Sequence, residues 1–285
     1  MGPALHLPFS IRNQRQRHPC NSNPVGSQWH TPPGGGWRIV AFGHPPPPGI
    51  LPGCGPSTSP TLLGAADTVR QLLQAGYAVV MSDYQGLGSL DKTHDQADLD
   101  TYHPYLDSMT AGYNLIDAVR AARKLFDKAN TPPSSASWLA FGMGQGGQAA
   151  WAADELAGER GGGTSLCLAL SRFPPVADIT GLADAAAAGT LNTQQELDLT
   201  AFLAGLKSSY PRDFNLEDYR SGVVAQKWDA LLACDPAGLE ARSAIAAQIT
   251  PDDLRPKSPA ALETLRGFLK KVSLPPQGPT QRRCW

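Results

Sequence analysis

The sequence predicts an α/β core built on a parallel sheet, followed by an all-helical segment. Three observations carry this. Four short apolar or β-branched runs alternate with helical stripes up to residue 173, an order that right-handed crossovers turn into a parallel sheet. The run Tyr77-Ala-Val-Val-Met81 is almost continuously apolar, as a strand covered on both faces must be. Beyond residue 174 no strand pattern recurs, and leucine-rich helical spacing replaces it.

Residues 1–36 are polar and rich in Gly, Pro and Asn, ending in Thr31-Pro-Pro-Gly-Gly-Gly36, and read as an irregular arm. The core spans 37–173. Trp37-Arg-Ile-Val-Ala-Phe42 is its first strand, broken by Gly43 and followed by His44 and four prolines that fix φ and supply no N–H. Ala66, Val69, Leu72 and Leu73 form a helical stripe that Gly76 ends. The strand at 77–81 then runs into the turn Asp83-Tyr-Gln-Gly-Leu-Gly88. Met109, Tyr113, Ile116, Val119, Ala122 and Phe126 share one face of a helix over 108–128. Ser137-Trp-Leu-Ala-Phe141 is the third strand, Gly142-Met-Gly-Gln-Gly-Gly147 a tight turn, and a helix follows through Ala157. Thr164–Leu170 is the fourth strand.

The helical region covers 174–272 and reads as an all-helical lobe. Thr193-Gln-Gln-Glu196 has the form of a capping box ahead of Leu197, Leu199, Phe202, Leu203 and Leu206. Further helices are expected at 217–233 and 237–248. Ser258-Pro259 opens one that ends near Lys271. Ser273–Trp285 reads as an unstructured tail.

Composition narrows the function classes. The chain is 41% hydrophobic and 17% charged, with 24 basic against 25 acidic residues, which excludes a disordered chain and gives no electrostatic reason to expect nucleic acid. The longest apolar runs are too short to span a bilayer, and the first 20 residues show no signal-peptide pattern. Cys20, Cys54, Cys167, Cys234 and Cys284 lack zinc-type spacing, and Cys167 in an apolar run reads as core. His94 among Asp91, Asp95 and Asp98 has no second histidine nearby and reads as a solvated acidic loop, so no metal or cofactor is expected. All six histidines lie at or before His103.

The turn at 142–147 admits two motifs. Gly142, Gly144 and Gly147 fit the dinucleotide fingerprint G-x-G-x-x-G, but the next strand ends in Leu170-Ser-Arg-Phe173, with no carboxylate for a ribose. The nucleophile elbow G-x-S-x-G fits Gly142-Met143-Gly144-Gln145-Gly146 in its setting and flanking glycines, with glycine where the serine belongs.

From Trp37 to Pro275 the chain resembles the secretory lipase family of α/β hydrolases. The likeness rests on Ile39-Val-Ala-Phe-Gly-His-Pro45, Cys54-Gly-Pro-Ser57 and Gly76-Tyr-Ala-Val-Val-Met-Ser-Asp-Tyr-Gln-Gly-Leu-Gly88. It continues through His103-Pro-Tyr-Leu106, residues 111–123, Trp138–Ala153 and Ala177-Asp-Ile-Thr-Gly-Leu-Ala-Asp184. The resemblance implies an α/β-hydrolase core with a helical lid, hydrolysis of acylglycerols and other carboxylic esters, a lipid or ester as partner, and secretion. It puts the nucleophile at 144 and an oxyanion-hole donor at the backbone N–H of Gln145. It also implies a disulfide at Cys54, with Cys234 its best partner on order.

Acyl transfer by this family needs Ser, acid and His in that chain order. Position 144 is glycine and no histidine follows His103, so two of three roles are unfillable by residue type. Asp229, Asp235 and Asp252 are available acids with no base to orient, and Pro46 and Pro47 stand where the second oxyanion donor is expected. The family's last strands, with its acid and histidine, are expected beyond the lid, where this chain carries Gln277–Trp285. His44 and His103 read as structural loop histidines. The expectation is an ester-hydrolase fold without its catalysis, the remnant of an enzyme; the alternative is a pseudo-hydrolase that binds a lipid or a protein.

Overall fold

The computed structural model describes residues 36–88, 102–128, 134–160, 165–172 and 178–274. The expected arm over 1–36, but for Gly36, the acidic loop around His94, and Cys20 and Cys284 lie outside these residues. So does the side chain of Cys167.

Strand β1 (Trp37–Gly43) leads through the proline loop to helix α1 (Ala66–Gln74), then β2 (Ala78–Val80), α2 (Ser108–Lys128), β3 (Ser134–Met143), α3 (Gln145–Arg160) and β4 (Ser165–Arg172). The four strands form one parallel sheet in the order β2-β1-β3-β4. Ile39 and Ala41 of β1 and Trp138 and Ala140 of β3 are buried between the sheet and α2 and α3. Helix α3 presents Ala149, Ala152 and Ala153 to α2, where a Cβ on Gly112 would stand 2.8 Å from that of Ala152. Small side chains thus let the two helices approach closely over the sheet.

The helical region contains α4 (Gly181–Ala188), α5 (Thr193–Ser209), α6 (Gly222–Gln226), α7 (Trp228–Leu232), α8 (Pro236–Ala246) and α9 (Pro259–Val272). It has its own apolar cluster around Leu199, Phe202, Phe214, Tyr219, Leu231 and Leu265. It is tied to the core by a Cys54–Cys234 disulfide and by the Ile50 N–H, which donates to the Leu232 carbonyl at 3.0 Å.

Three expectations need correction. The cap of α5 is Asn192, one residue earlier than the sequence pattern indicates. Its Oδ1 accepts from the Gln195 N–H at 2.9 Å, and the Gln195 side chain accepts from the Asn192 N–H at 3.0 Å. Asn is as good an N-cap as Thr, and the box closes equally well with Gln at its third position. The helix expected over 217–233 is three pieces, a 3₁₀ turn at Leu216–Asp218, α6 and α7, broken where Gly222 takes φ +45° and Lys227 leaves helical geometry. Ser273 and Leu274, expected in the tail, are held: Ser273 Oγ donates to the Leu269 carbonyl at 2.7 Å, and Leu274 is buried in the core cluster. Ser258 caps α9 as expected, accepting from the Ala261 N–H at 3.1 Å.

Candidate functional site

The site lies where β1 and β3 end together. The register pairs Phe42 with Phe141 and Gly43 with Gly142, so the chain leaves both strands at one level. The two exits, the proline loop and the 142–147 turn, are therefore forced against each other. Glycine permits this: a Cβ on Gly142 would lie 2.0 Å from the Gly146 carbonyl oxygen, and one on Gly146 would lie 2.0 Å from that of Gly43. Side chains at these positions are excluded by neighbouring backbone, so these glycines have a packing reason whatever the turn does.

Gly144 sits between the strand and the helix at φ +57°, the left-handed geometry that a nucleophile elbow imposes on its central residue. The ring of Pro46 lies over it, with Cδ 2.9 Å and Cγ 3.5 Å from where a Cβ would stand. The direction in which a serine would project is filled by proline. The sequence shows that Pro46 cannot donate a hydrogen bond; only the strand register shows that it covers position 144.

Gln145 is the first residue of α3, so its N–H and those of Gly146 and Gly147 begin the helix without intrahelical acceptors. The Gln145 side chain is buried and donates through Nε2 to Nε2 of His103. The His103 Nδ1–H in turn donates to the Gln85 carbonyl at 2.8 Å. Both ring nitrogens are committed, and burial pulls the imidazole pKa down to about 3, with backbone and side-chain hydrogen bonds opposing weakly.

His44 is equally buried. Its Nδ1–H donates to the Pro45 carbonyl at 2.7 Å, desolvation lowers its pKa to about 4, and its Nε2 has no partner. Tyr84 stands between the two imidazoles, with ring centroids 4.1 Å from His44 and 5.9 Å from His103. It holds a non-glycine φ of +60°, a cost of about 1–2 kcal/mol that full burial of the ring offsets. The structure therefore brings His44, His103 and Gln145 together around Gly144, but as a neutral, packed floor.

The available acids take structural roles. Asp235 caps α8 by accepting from the Gly238 N–H at 2.9 Å, Asp252 pairs with Arg255 at 2.7 Å on the surface, and Asp229 is exposed in α7. Among the described residues no cluster of His, Cys, Asp or Glu could hold a metal ion, and no helix is long and apolar enough to cross a membrane. Pro46 above the turn also fills the ground where a dinucleotide's pyrophosphate would have to approach the start of α3.

Chemically, the turn offers backbone N–H donors and the buried amide of Gln145, whose Oε1 has no partner, but no hydroxyl or thiol.

The fold is similar to that of solved hydrolases. The rice cell wall degrading esterase LipA from Xanthomonas oryzae superposes with a TM-score of 0.60 at 24% identity, over 84% of this chain and 62% of that one. Candida antarctica lipase A in its closed state gives 0.58 at 18%, over 84% and 53%. A Legionella pneumophila protein gives 0.58 at 19%, over 83% and 61%. The chain thus spans less than two thirds of each of these structures, and at these identities the likeness establishes the α/β-hydrolase fold. No curated protein sequence matches. The family model described as "Secretory lipase" matches residues 57–224, more than half of the 285, and includes the turn at Gly144. The chain belongs to the secretory lipase family.

Proposed function

We propose that this chain is a non-hydrolytic member of its family, keeping the fold of a carboxylic-ester or triacylglycerol hydrolase without the acyl-transfer chemistry. One observation carries the reading: at the elbow, Gly144 has no oxygen to offer and the Pro46 ring occupies the space an oxygen would need. The surroundings support it. A general base must accept a proton near neutral pH, and the buried His103 has both nitrogens engaged and a pKa near 3.

Magnitudes decide how complete the loss is. Removing triad members costs about 10⁶ in kcat, while an oxyanion-hole donor is worth about 10² to 10³. The Gln145 N–H alone therefore leaves catalysis near background. The test is exposure of the purified chain to a fluorophosphonate probe and to p-nitrophenyl butyrate. No covalent adduct, and hydrolysis within about tenfold of the buffer rate, are expected from a loss of this size. An adduct on any residue, or turnover abolished by prior fluorophosphonate treatment, refutes the proposal.

The alternative role, binding without turnover, is favoured by a specific feature: a cavity of about 230 Å³ behind the proline loop, floored by the helical region.

A further inference from the structure

The cavity behind Pro46, Pro47 and Pro48 is lined by two unlike sets of residues. One is apolar, formed by the proline rings with Ile50, Leu231 and Leu232. The other carries Tyr105, Gln194 and Asp198 together with Arg242 of α8. The first three form a bonded set, in which the Tyr105 hydroxyl donates to Asp198 Oδ1 at 3.0 Å and Gln194 Nε2 donates to the same oxygen at 3.1 Å. Arg242 stands apart from them. It interacts with Asp198 and Tyr105 through space, without an ion pair to Asp198 within 4 Å, and its buried Nε has no partner. A planar guanidinium that is partly desolvated and unpaired is a receptor for a planar anion, and buried polar atoms left without partners call for an explanation.

The two charges select the ligand. A simple anion on Arg242 would face Asp198 across the same small space, and a simple cation on Asp198 would face Arg242. A molecule carrying both charges on neighbouring atoms satisfies each and keeps the cavity neutral. Its remaining part must be apolar to lie against Leu231, Leu232 and the prolines. The volume sets its size: 230 Å³ equals the liquid share of about eight waters, below the 300 Å³ at which drug-sized pockets begin. We propose that this cavity binds a small zwitterion with an aliphatic side chain, an apolar α-amino acid or close analogue, its carboxylate on Arg242 and its ammonium on Asp198. This cavity adjoins the elbow through Pro46, which lines the one and covers the other, but the proposal does not depend on whether the chain hydrolyses esters.

Isothermal titration of the full chain at pH 7 with L-norleucine, hexanoate and hexylamine tests it, since these share a chain length and differ in charge. Norleucine is expected to bind saturably at one site, with hexanoate and hexylamine at least about tenfold weaker. Arg242→Met and Asp198→Asn are each expected to weaken norleucine about tenfold or more while thermal unfolding remains cooperative. Absence of saturation by norleucine up to about 10 mM overturns the proposal. So does equal or tighter binding of hexanoate, which would mark a fatty-acid site, and so does unchanged affinity in Arg242→Met. If either variant fails to fold, the ligand series on the unaltered chain decides alone.

Discussion

Restoring the missing serine by Gly144→Ser is the most direct perturbation of the elbow, and the structure predicts that it harms the protein. Two costs add. A non-glycine residue at φ +57° pays about 1–2 kcal/mol for left-handed geometry. The new Cβ, 2.9 Å from Pro46 Cδ, is closer than real Cβ contacts allow, and the offending atom belongs to a stiff ring that cannot swing away. Overpacking of this kind costs about 1–3 kcal/mol. The expected total is about 2–5 kcal/mol, read as a fall in the urea midpoint at unchanged m-value. Pro46→Ala deletes both Cγ and Cδ, so the double variant should recover the overpacking part but not the left-handed part. A double-mutant cycle should give a coupling of about 1–2 kcal/mol between positions 46 and 144. Neither variant should hydrolyse p-nitrophenyl butyrate, since the described imidazoles, His44 and His103, are buried with pKa values of about 4 and about 3 and are poor proton acceptors. A Gly144→Ser protein as stable as the parent, or additivity within about 0.3 kcal/mol, would refute the packing argument, and measurable esterase activity in either variant would refute the chemical one.

The remaining expectations concern stability. His44 and His103 are neutral in the folded protein, with pKa values of about 4 and about 3 against an ordinary 6.5, so the unfolded chain binds protons that the folded one refuses. Stability is therefore complete above pH 6.5 and falls on acidification, by about 2 kcal/mol per histidine at pH 5, and goes on falling towards the folded values. Asp83 and Asp198, both raised chiefly by desolvation, act in the opposite sense and return part of this as they protonate. Urea titrations at pH 7 and pH 5 check it, and equal stabilities would show that the imidazoles are not held neutral. The Cys54–Cys234 bridge closes a loop with a sequence separation of 180 residues, for which chain entropy gives about 5 kcal/mol and measured disulfides typically about 2–4. Replacing both cysteines with alanine should lower stability by that smaller amount under non-reducing conditions; an unchanged unfolding midpoint would mean the pair is not joined in the protein.

How far the sequence could be read follows the range of the interactions involved. The sheet was legible because its strands are buried on both faces and so write themselves as apolar runs, Tyr77–Met81 most plainly. The glycine at 144 was legible because residue type alone removes a nucleophile. The α5 start was misread by one residue because Asn192 and Thr193 are both good caps, and the choice between them is made by Gln195 reaching back. The 217–233 segment was misread because Leu231, Leu232 and Trp228 keep a helical spacing that the positive φ of Gly222 interrupts. Pro46 was read for the hydrogen bond it lacks and not for the space it fills, since loops 98 residues apart meet only through the pairing of Gly43 with Gly142.

That pairing also gives the two changes at the site a common logic. A serine at 144 requires open space along its Cβ direction, and the proline ring at 46 requires that direction to be vacant of side chain. Pro46 excludes a side chain at 144, while glycine there accommodates the ring. With glycine at 144 nothing opposes a ring above it, and with the ring in place a serine at 144 is costly. The coupling energy between positions 46 and 144 is thus a direct measure of how firmly the packing here favours glycine over serine, and the cycle described above reads it.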